Sequence, residues 1–229
     1  MLSRHRKSLR AIAFCLLACA AGGCAMDGGS RMALWGRAQP EEVVVTPAMR
    51  IEGLRKMAKQ ASSSSPEDQQ RVSLTLAESI GKELDPLVRA QTVRTLSYYP
   101  TPAAEAGLTA ALQDGERDVR IAACEGWGRF GGPAAARALS EAVAADTDLD
   151  VRLAATRALG ELEGPEAVSG LGLALADPNP AMQFRAMKSL ERVTEQYYAN
   201  DVGAWQRYVD GEEPPTRSLP VAERLRRIF

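Results

Sequence analysis

Apolar residues along this chain follow a helical rhythm that itself recurs at a fixed interval. Val88, Val119, Val151 and Met182 share one position, and Leu96, Trp127, Leu159 and Leu190 share another eight residues on, with copies spaced by 31, 32 and 31 residues. A second stripe follows in each copy. Leu108, Leu139 and Leu171 hold one position and Leu112, Val143 and Leu175 the position four residues later, so both fall on one helical face. Between the stripes, Pro102, Pro133 and Pro165 each lie 14 residues after the Val, preceded by Thr101, Gly132 and Gly164. That is the pattern of a turn followed by proline at the first helical position, where its missing N–H is tolerated. Each unit therefore reads as helix A, a short turn, then helix B. A single pair cannot bury both stripes, so neighbouring units must stack. The predicted fold is all-α, an alpha-solenoid of helix pairs with no sheet.

The ends depart from this rhythm. Thr46 and Pro47 read as an N-cap with proline at the first helical position, and Ile51, Leu54, Ala58 and Ala61 fall on one face. Residues 62–65 interrupt that helix, and Ser65, Pro66 and Asp68 restart one whose stripe is Val72, Leu76 and Ile80. Residues 46–84 are thus predicted as an irregular first pair, and 85–199 as regular repeats. The rhythm stops after Val193, with Tyr197 and Tyr198 predicted to close the last A helix. Asn200 or Asp201 then caps a short segment holding Trp205 and Tyr208, which would cover the open face of the last repeat. Beyond a breaker at 211–215, Leu219, Ala222, Leu225 and Ile228 with Arg224, Arg226 and Arg227 form a basic amphipathic tail. Residues 200–229 are therefore predicted as cap and tail. The sequence leaves open whether the tail docks on the solenoid or binds lipid or protein.

Charge adds a second regularity. An acid precedes an arginine by six residues in three consecutive copies: Glu83 and Arg89, Asp114 and Arg120, Asp146 and Arg152. The fourth copy has Asp177 and Gln183. At Asp114, Asp118, Val119 and Arg120, and again at Asp146, Asp150, Val151, Arg152, Ala154, Ala155, Arg157, Ala158, Leu159 and Gly160, the chain resembles the HEAT-repeat family. It resembles above all the short branch typified by bilin-lyase-like repeats, over residues 85–193. The resemblance implies four to five HEAT-like helix pairs and a structural ladder of Asp114, Arg120, Asp146 and Arg152 along the turns, ended by Gln183. It also implies that the B helices line the concave side. Outward B positions there are small or mild: Ala106, Thr109, Arg137, Ser140, Ser169 and Gly172. They are the candidate face for a protein partner, whereas Arg94, Glu125, Arg157 and Lys188 on the A helices read as a solvated surface.

The first residues belong to none of this. Arg4, His5, Arg6, Lys7 and Arg10 precede an apolar run at 11–21, much shorter than the ~20 residues that a spanning helix needs. Residues 1–23 read as a secretory signal peptide. The run ends at Ala21, Gly22, Gly23 and Cys24, which resembles the lipobox of bacterial lipoproteins. That resemblance implies an acylated Cys24 at the start of the mature chain. Ala21 stands where Leu is usual, and Leu16, Leu17, Ala18 and Cys19 make a rival match. Ala25, rather than Asp, after Cys24 favours the outer membrane. Residues 24–45, with Met32, Leu34 and Trp35 but no sustained period, read as a flexible tether. The expected location is the cell envelope, with the chain held to the membrane by its lipid.

Removing the leader takes away four of 28 Lys and Arg and none of 29 Asp and Glu, which turns a net charge of −1 into −5. No basic stripe is left for a phosphate backbone, so no nucleic-acid partner is predicted. The only histidine, His5, leaves with the leader. Without it there is no His-based zinc site and no Ser–His or Cys–His nucleophile. Of four cysteines Cys24 and Cys124 remain, and a lipid on Cys24 would preclude an intramolecular disulfide. Cys124 aligns with the inward positions Val93, Thr156 and Met187 and is predicted as a core residue. Gly126, Gly128, Gly131 and Gly132 lack the Lys of a phosphate loop, and the first two are expected to make room for Trp127. No catalytic residue, metal site or cofactor is predicted. The leading reading is a non-enzymatic, lipid-anchored repeat scaffold for a protein partner. The alternatives are an accessory subunit of the bilin-lyase-like kind that handles a small molecule, and a purely structural envelope protein. Neither the partner nor the oligomeric state is readable.

Overall fold

A computed structural model describes residues 45–212. The chain divides into two units, Met1–Val43 and Val44–Phe229, and the described residues all belong to the second. The predicted signal peptide, Cys24, nearly all of the tether and the tail from 213 onward lie outside the described residues.

Ten α-helices form, with no strand among the described residues: α1 (Pro47–Gln60), α2 (Pro66–Ile80), α3 (Pro86–Leu96), α4 (Pro102–Ala111), α5 (Arg117–Phe130), α6 (Gly132–Ala145), α7 (Leu149–Leu159), α8 (Pro165–Leu175), α9 (Pro180–Thr194) and α10 (Val202–Val209). A 3-10 turn at Ala61–Ser63 separates α1 from α2. Local sequence sets most starts. Thr46, Ser65, Asp85, Thr101, Asp148, Asn179 and Asp201 each accept backbone N–H groups of the first turn through their side chains, typically worth ~1 kcal/mol apiece. Helices α6 and α8 lack such a cap. They start from Gly131 at φ 78° and Gly164 at φ 105°, left-handed backbone that glycine adopts without a Cβ penalty. Pro133 is the second residue of α6 rather than the first, because Gly132 already opens the helix.

The odd-numbered helices form the A row, in which α1 packs on α3, α3 on α5, α5 on α7 and α7 on α9. The B row pairs α2 with α4, α6 with α8 and α8 with α10. Both A-helix positions of the repeat are buried in all four copies, as are Leu108, Leu139 and Leu171 of the B stripe. Burying each such side chain contributes roughly 1.5–3 kcal/mol. The stack is the predicted all-α solenoid. Leu112 differs from its counterparts Val143 and Leu175 in being only half-buried. Helix α4 ends at Ala111 without close pairing to α6, and Leu112 lines the groove left between them.

Three expectations are corrected. Helix α9 ends at Thr194, and Glu195 turns left-handed at φ 57°, so Tyr197 and Tyr198 lie beyond it. Tyr198 instead meets the Trp205 ring edge-on at 4.9 Å, and Trp205 meets Tyr208 at 6.0 Å. Second, Gly126 and Gly128 serve the neighbouring helices rather than Trp127. A Cβ on Gly126 would come within 2.6 Å of Leu108 Cδ2 on α4, and one on Gly128 within 3.1 Å of Ala158 Cβ on α7. Third, Gly172 is buried and not outward, because α10 folds back onto α8 and sets Val209 Cγ1 2.7 Å from where its Cβ would be.

Candidate functional site

The turns between B and A helices carry the ladder. Arg89 donates from Nε to Asp114 Oδ2 at 2.8 Å and from Nη2 to Oδ1 at 3.0 Å. Arg120 does the same to Asp146 at 2.8 and 3.3 Å. Arg152 Nε lies 3.3 Å from Asp177 Oδ2, an ion pair without hydrogen-bond alignment. Each guanidinium therefore reaches forward to the acid of the next repeat. The spacing of six reflects a different contact, from Nη1 back to the backbone carbonyl of the residue six earlier: Glu83, Asp114 and Asp146, at 2.9, 2.9 and 3.1 Å. Gln183 keeps that contact, donating to the Asp177 carbonyl at 3.0 Å, and has no charge for a further rung. Arg50 and Glu83 form the first rung, between α1 and the turn before α3.

Each acid is also held by its own turn. Glu83, Asp114, Asp146 and Asp177 accept the backbone N–H two residues on, at 2.8–2.9 Å. Burial pushes the Asp114 carboxyl upward, but hydrogen bonds from Arg89 and from the Glu116 backbone, with the positive charge of Arg89 and Arg120, outweigh it and hold the group below its ordinary value. The guanidinium of Arg120 is held above its ordinary value by its hydrogen bond to Asp146, against a smaller opposing effect of burial. These side chains are consumed by one another, which makes the ladder a structural device.

The B-helix face is different. Arg137 and Ser140 of α6 and Ser169 of α8 come together along a groove of about 540 Å³ between the two helices, with Glu141, Glu166 and Leu173 beside them. Ala106 and Thr109 are exposed on α4 and lie outside that groove. Ser140 is half-buried and donates to the Ala136 carbonyl at 2.7 Å, and a Cβ on Gly170 would strike its Oγ. It forms floor rather than rim. Leu173, 47% exposed, was missed by sequence reasoning because it belongs to neither buried stripe. That misfit was itself the available signal. A second groove, of about 510 Å³, opens where α4 stands off from α6, and Leu112, Gln113, Asp114 and Glu141 are among its lining.

On the A helices several outward charges pair. Arg94 meets Glu125 at 2.8 Å, Lys188 meets Glu191 at 3.0 Å, and Arg157 lies 4.0 Å from Glu161. Arg129 sits 4.5 Å over the Tyr98 ring. Reactive groups are few. The Cys124 thiol is buried, and burial with nearby acids pushes it up to about 12, so little of it is thiolate near neutral pH. Among the described residues no group of three or more His, Cys, Asp and Glu side chains is placed to hold a metal ion. No described helix is long and apolar enough to cross a membrane.

Residues 54–160 match the family model for HEAT repeats, and residues 151–177 match that for the PBS lyase HEAT-like repeat. No curated protein matches the chain. The first match begins inside α1, so the irregular first pair belongs to the repeat array along with its regular successors. Together the two matches run from 54 to 177, over half of the chain, and they coincide with the stacked helix pairs and their ladder. The chain belongs to the HEAT-repeat family.

Proposed function

We propose that this HEAT-repeat chain is a lipid-anchored scaffold of the bacterial cell envelope that holds a protein partner along its B-helix face. The groove between α6 and α8 carries this reading. Its floor of Ala136, Ser140 and Gly170 is small enough for a helix or extended segment to approach closely, and Leu173 offers an apolar anchor. Arg137, Glu141 and Glu166 beside it form no ion pair among the described residues, whereas Arg94, Arg157 and Lys188 on the A face each have one. Unpaired charges around an apolar centre are the anatomy of a recognition surface. The anchor rests on the sequence alone, on the short apolar run and Ala21, Gly22, Gly23 before Cys24.

The small-molecule alternative is not favoured. The PBS lyase HEAT-like match spans a single repeat, and the thiol of Cys124 is inaccessible. Site-specific photocrosslinking in cells tests the scaffold reading. Probes at Ser169 and Leu173 should give one discrete adduct, lost when Arg137 and Glu166 are both changed to Ala, while a probe at Arg157 gives none. An equal adduct from Arg157 would overturn the choice of face. Palmitate labelling should disappear in Cys24→Ser, and labelling that persists there but vanishes in Cys19→Ser would move the anchor.

A further inference from the structure

The turn between α2 and α3 breaks the rule that its successors keep. Leu84 is 92% exposed and Leu87 is 61% exposed. The corresponding residues of the next three turns are Gly115, Thr147 and Pro178, and Asp118, Asp150 and Ala181. Only here are both apolar and large. The pair between Arg50 and Glu83 draws the start of α1 to this turn, so Met49, 50% exposed, and Val45, 59% exposed, stand on the same edge.

Charge marks the same end. Helix α1 holds Arg50, Arg55, Lys56 and Lys59 against the single acid Glu52, whereas residues 61–212 hold 23 acids against 14 bases. Lys56 and Lys59 follow Met49 at helical spacing, seven and ten residues on; all three are exposed, and the pair that Lys56 makes with Glu52, at 2.9 Å, is itself open to solvent. The helix has no fully buried residue and packs mainly on α3. Four protruding side chains of roughly 100 Å² each fall short of the ~800 Å² per partner that a specific protein interface buries. A bilayer needs no matching surface. It accepts isolated apolar side chains below a ring of cations that face anionic headgroups.

We propose that this edge is a membrane-contact surface: Met49, Leu84 and Leu87 enter the interface of a bilayer bearing anionic lipid, while Lys56 and Lys59 meet its headgroups. The inference rests on the proposed anchor at Cys24, which would hold the first repeat near the bilayer and leave the later repeats projecting from it. The contact fixes the first repeat against the lipid and so orients the solenoid.

The test uses the mature lipidated protein reconstituted in phosphatidylethanolamine vesicles containing phosphatidylglycerol and a headgroup-level spin-labelled lipid. Leu84→Cys and Thr147→Cys are each labelled with an environment-sensitive fluorophore, Cys124 being buried and Cys24 blocked by lipid. Fluorescence at 84 should shift to the blue and be quenched several-fold more than at 147. Lys56→Glu with Lys59→Glu, or replacement of phosphatidylglycerol by phosphatidylcholine, should reduce that quenching. Equal quenching at both positions overturns the proposal while leaving the anchor standing. A blue shift at 84 without quenching by lipid means that protein, such as a second copy, covers the patch, and also overturns it. A lipid-processed chain that fails to float with the vesicles removes the anchor and the contact together.

Discussion

The two ends of the stack are finished in opposite ways. At the C-terminal end α10 returns onto α8, with Trp205 buried against Tyr198 and Tyr208 and with Val209 seated over Gly172. At the N-terminal end α1 has no fully buried residue, packs mainly on α3, and leaves Arg55, Lys56 and Lys59 exposed. Because each repeat of a solenoid contacts only its neighbours, the outer side of a terminal repeat must be either covered or made soluble. This chain does one at each end. A substitution at the C-terminal end should therefore act on stability, and one at the N-terminal end on what the surface meets.

The largest expected effect is Trp205→Ala, which should lower unfolding free energy by ~3–5 kcal/mol in chemical denaturation and remove amide protection from α10. Gly172→Leu should destabilise by ~1–3 kcal/mol through its clash with Val209, and Val209→Ala should restore most of that loss. Failure to restore would mean that α10 does not rest there. In the ladder, a double-mutant cycle on Arg120 and Asp146 should give a coupling of ~0.5–3 kcal/mol. The cycle on Asp146 and Arg152, which share only a backbone contact, should be near additive. Acid then separates the rungs. With its folded value depressed, Asp114 contributes stability that is fully present above the ordinary carboxylate range and is lost as pH falls through the lower folded value. Asp114→Asn should accordingly flatten the loss of stability below about pH 4 in denaturation series. The smallest effect should come from Met49→Ser and Leu84→Ser, each within ~0.5 kcal/mol of the parent. A larger loss would mean that α1 is packed after all.

The stack was legible because the buried positions recur in phase. Val119 and Trp127 have counterparts in every neighbour, and only mutual burial explains a pattern that no single helix needs. The ladder residues were legible as a set but not as pairs. A guanidinium six residues from an acid looks like its partner, yet Arg120 reaches an acid 26 residues ahead and takes only a carbonyl from its own turn. Such pairing depends on how repeats superpose, which local spacing does not encode. The candidate face suffered in the same way. Gly172 shares the pattern of outward positions, and its burial follows from a chain reversal beyond Thr194 that a left-handed Glu195 brings about. Tyr197 and Tyr198 continue the polar and apolar rhythm well enough to hide that break.

The standing apart of α4 and α6 has a mechanical consequence. Along one edge, successive turns are riveted by bidentate ion pairs from Arg89 to Asp114 and from Arg120 to Asp146. Along the other edge, the B helices are in close register except at this one place. If the stack bends, the α4–α6 opening is where the B helices have room to close, while the riveted turns and the packing of α3 on α5 hold the opposite edge. The repeats before it and those from α5 onward would move as two blades, so a load on the α6–α8 groove would reach the first repeats as a change of angle rather than of internal packing.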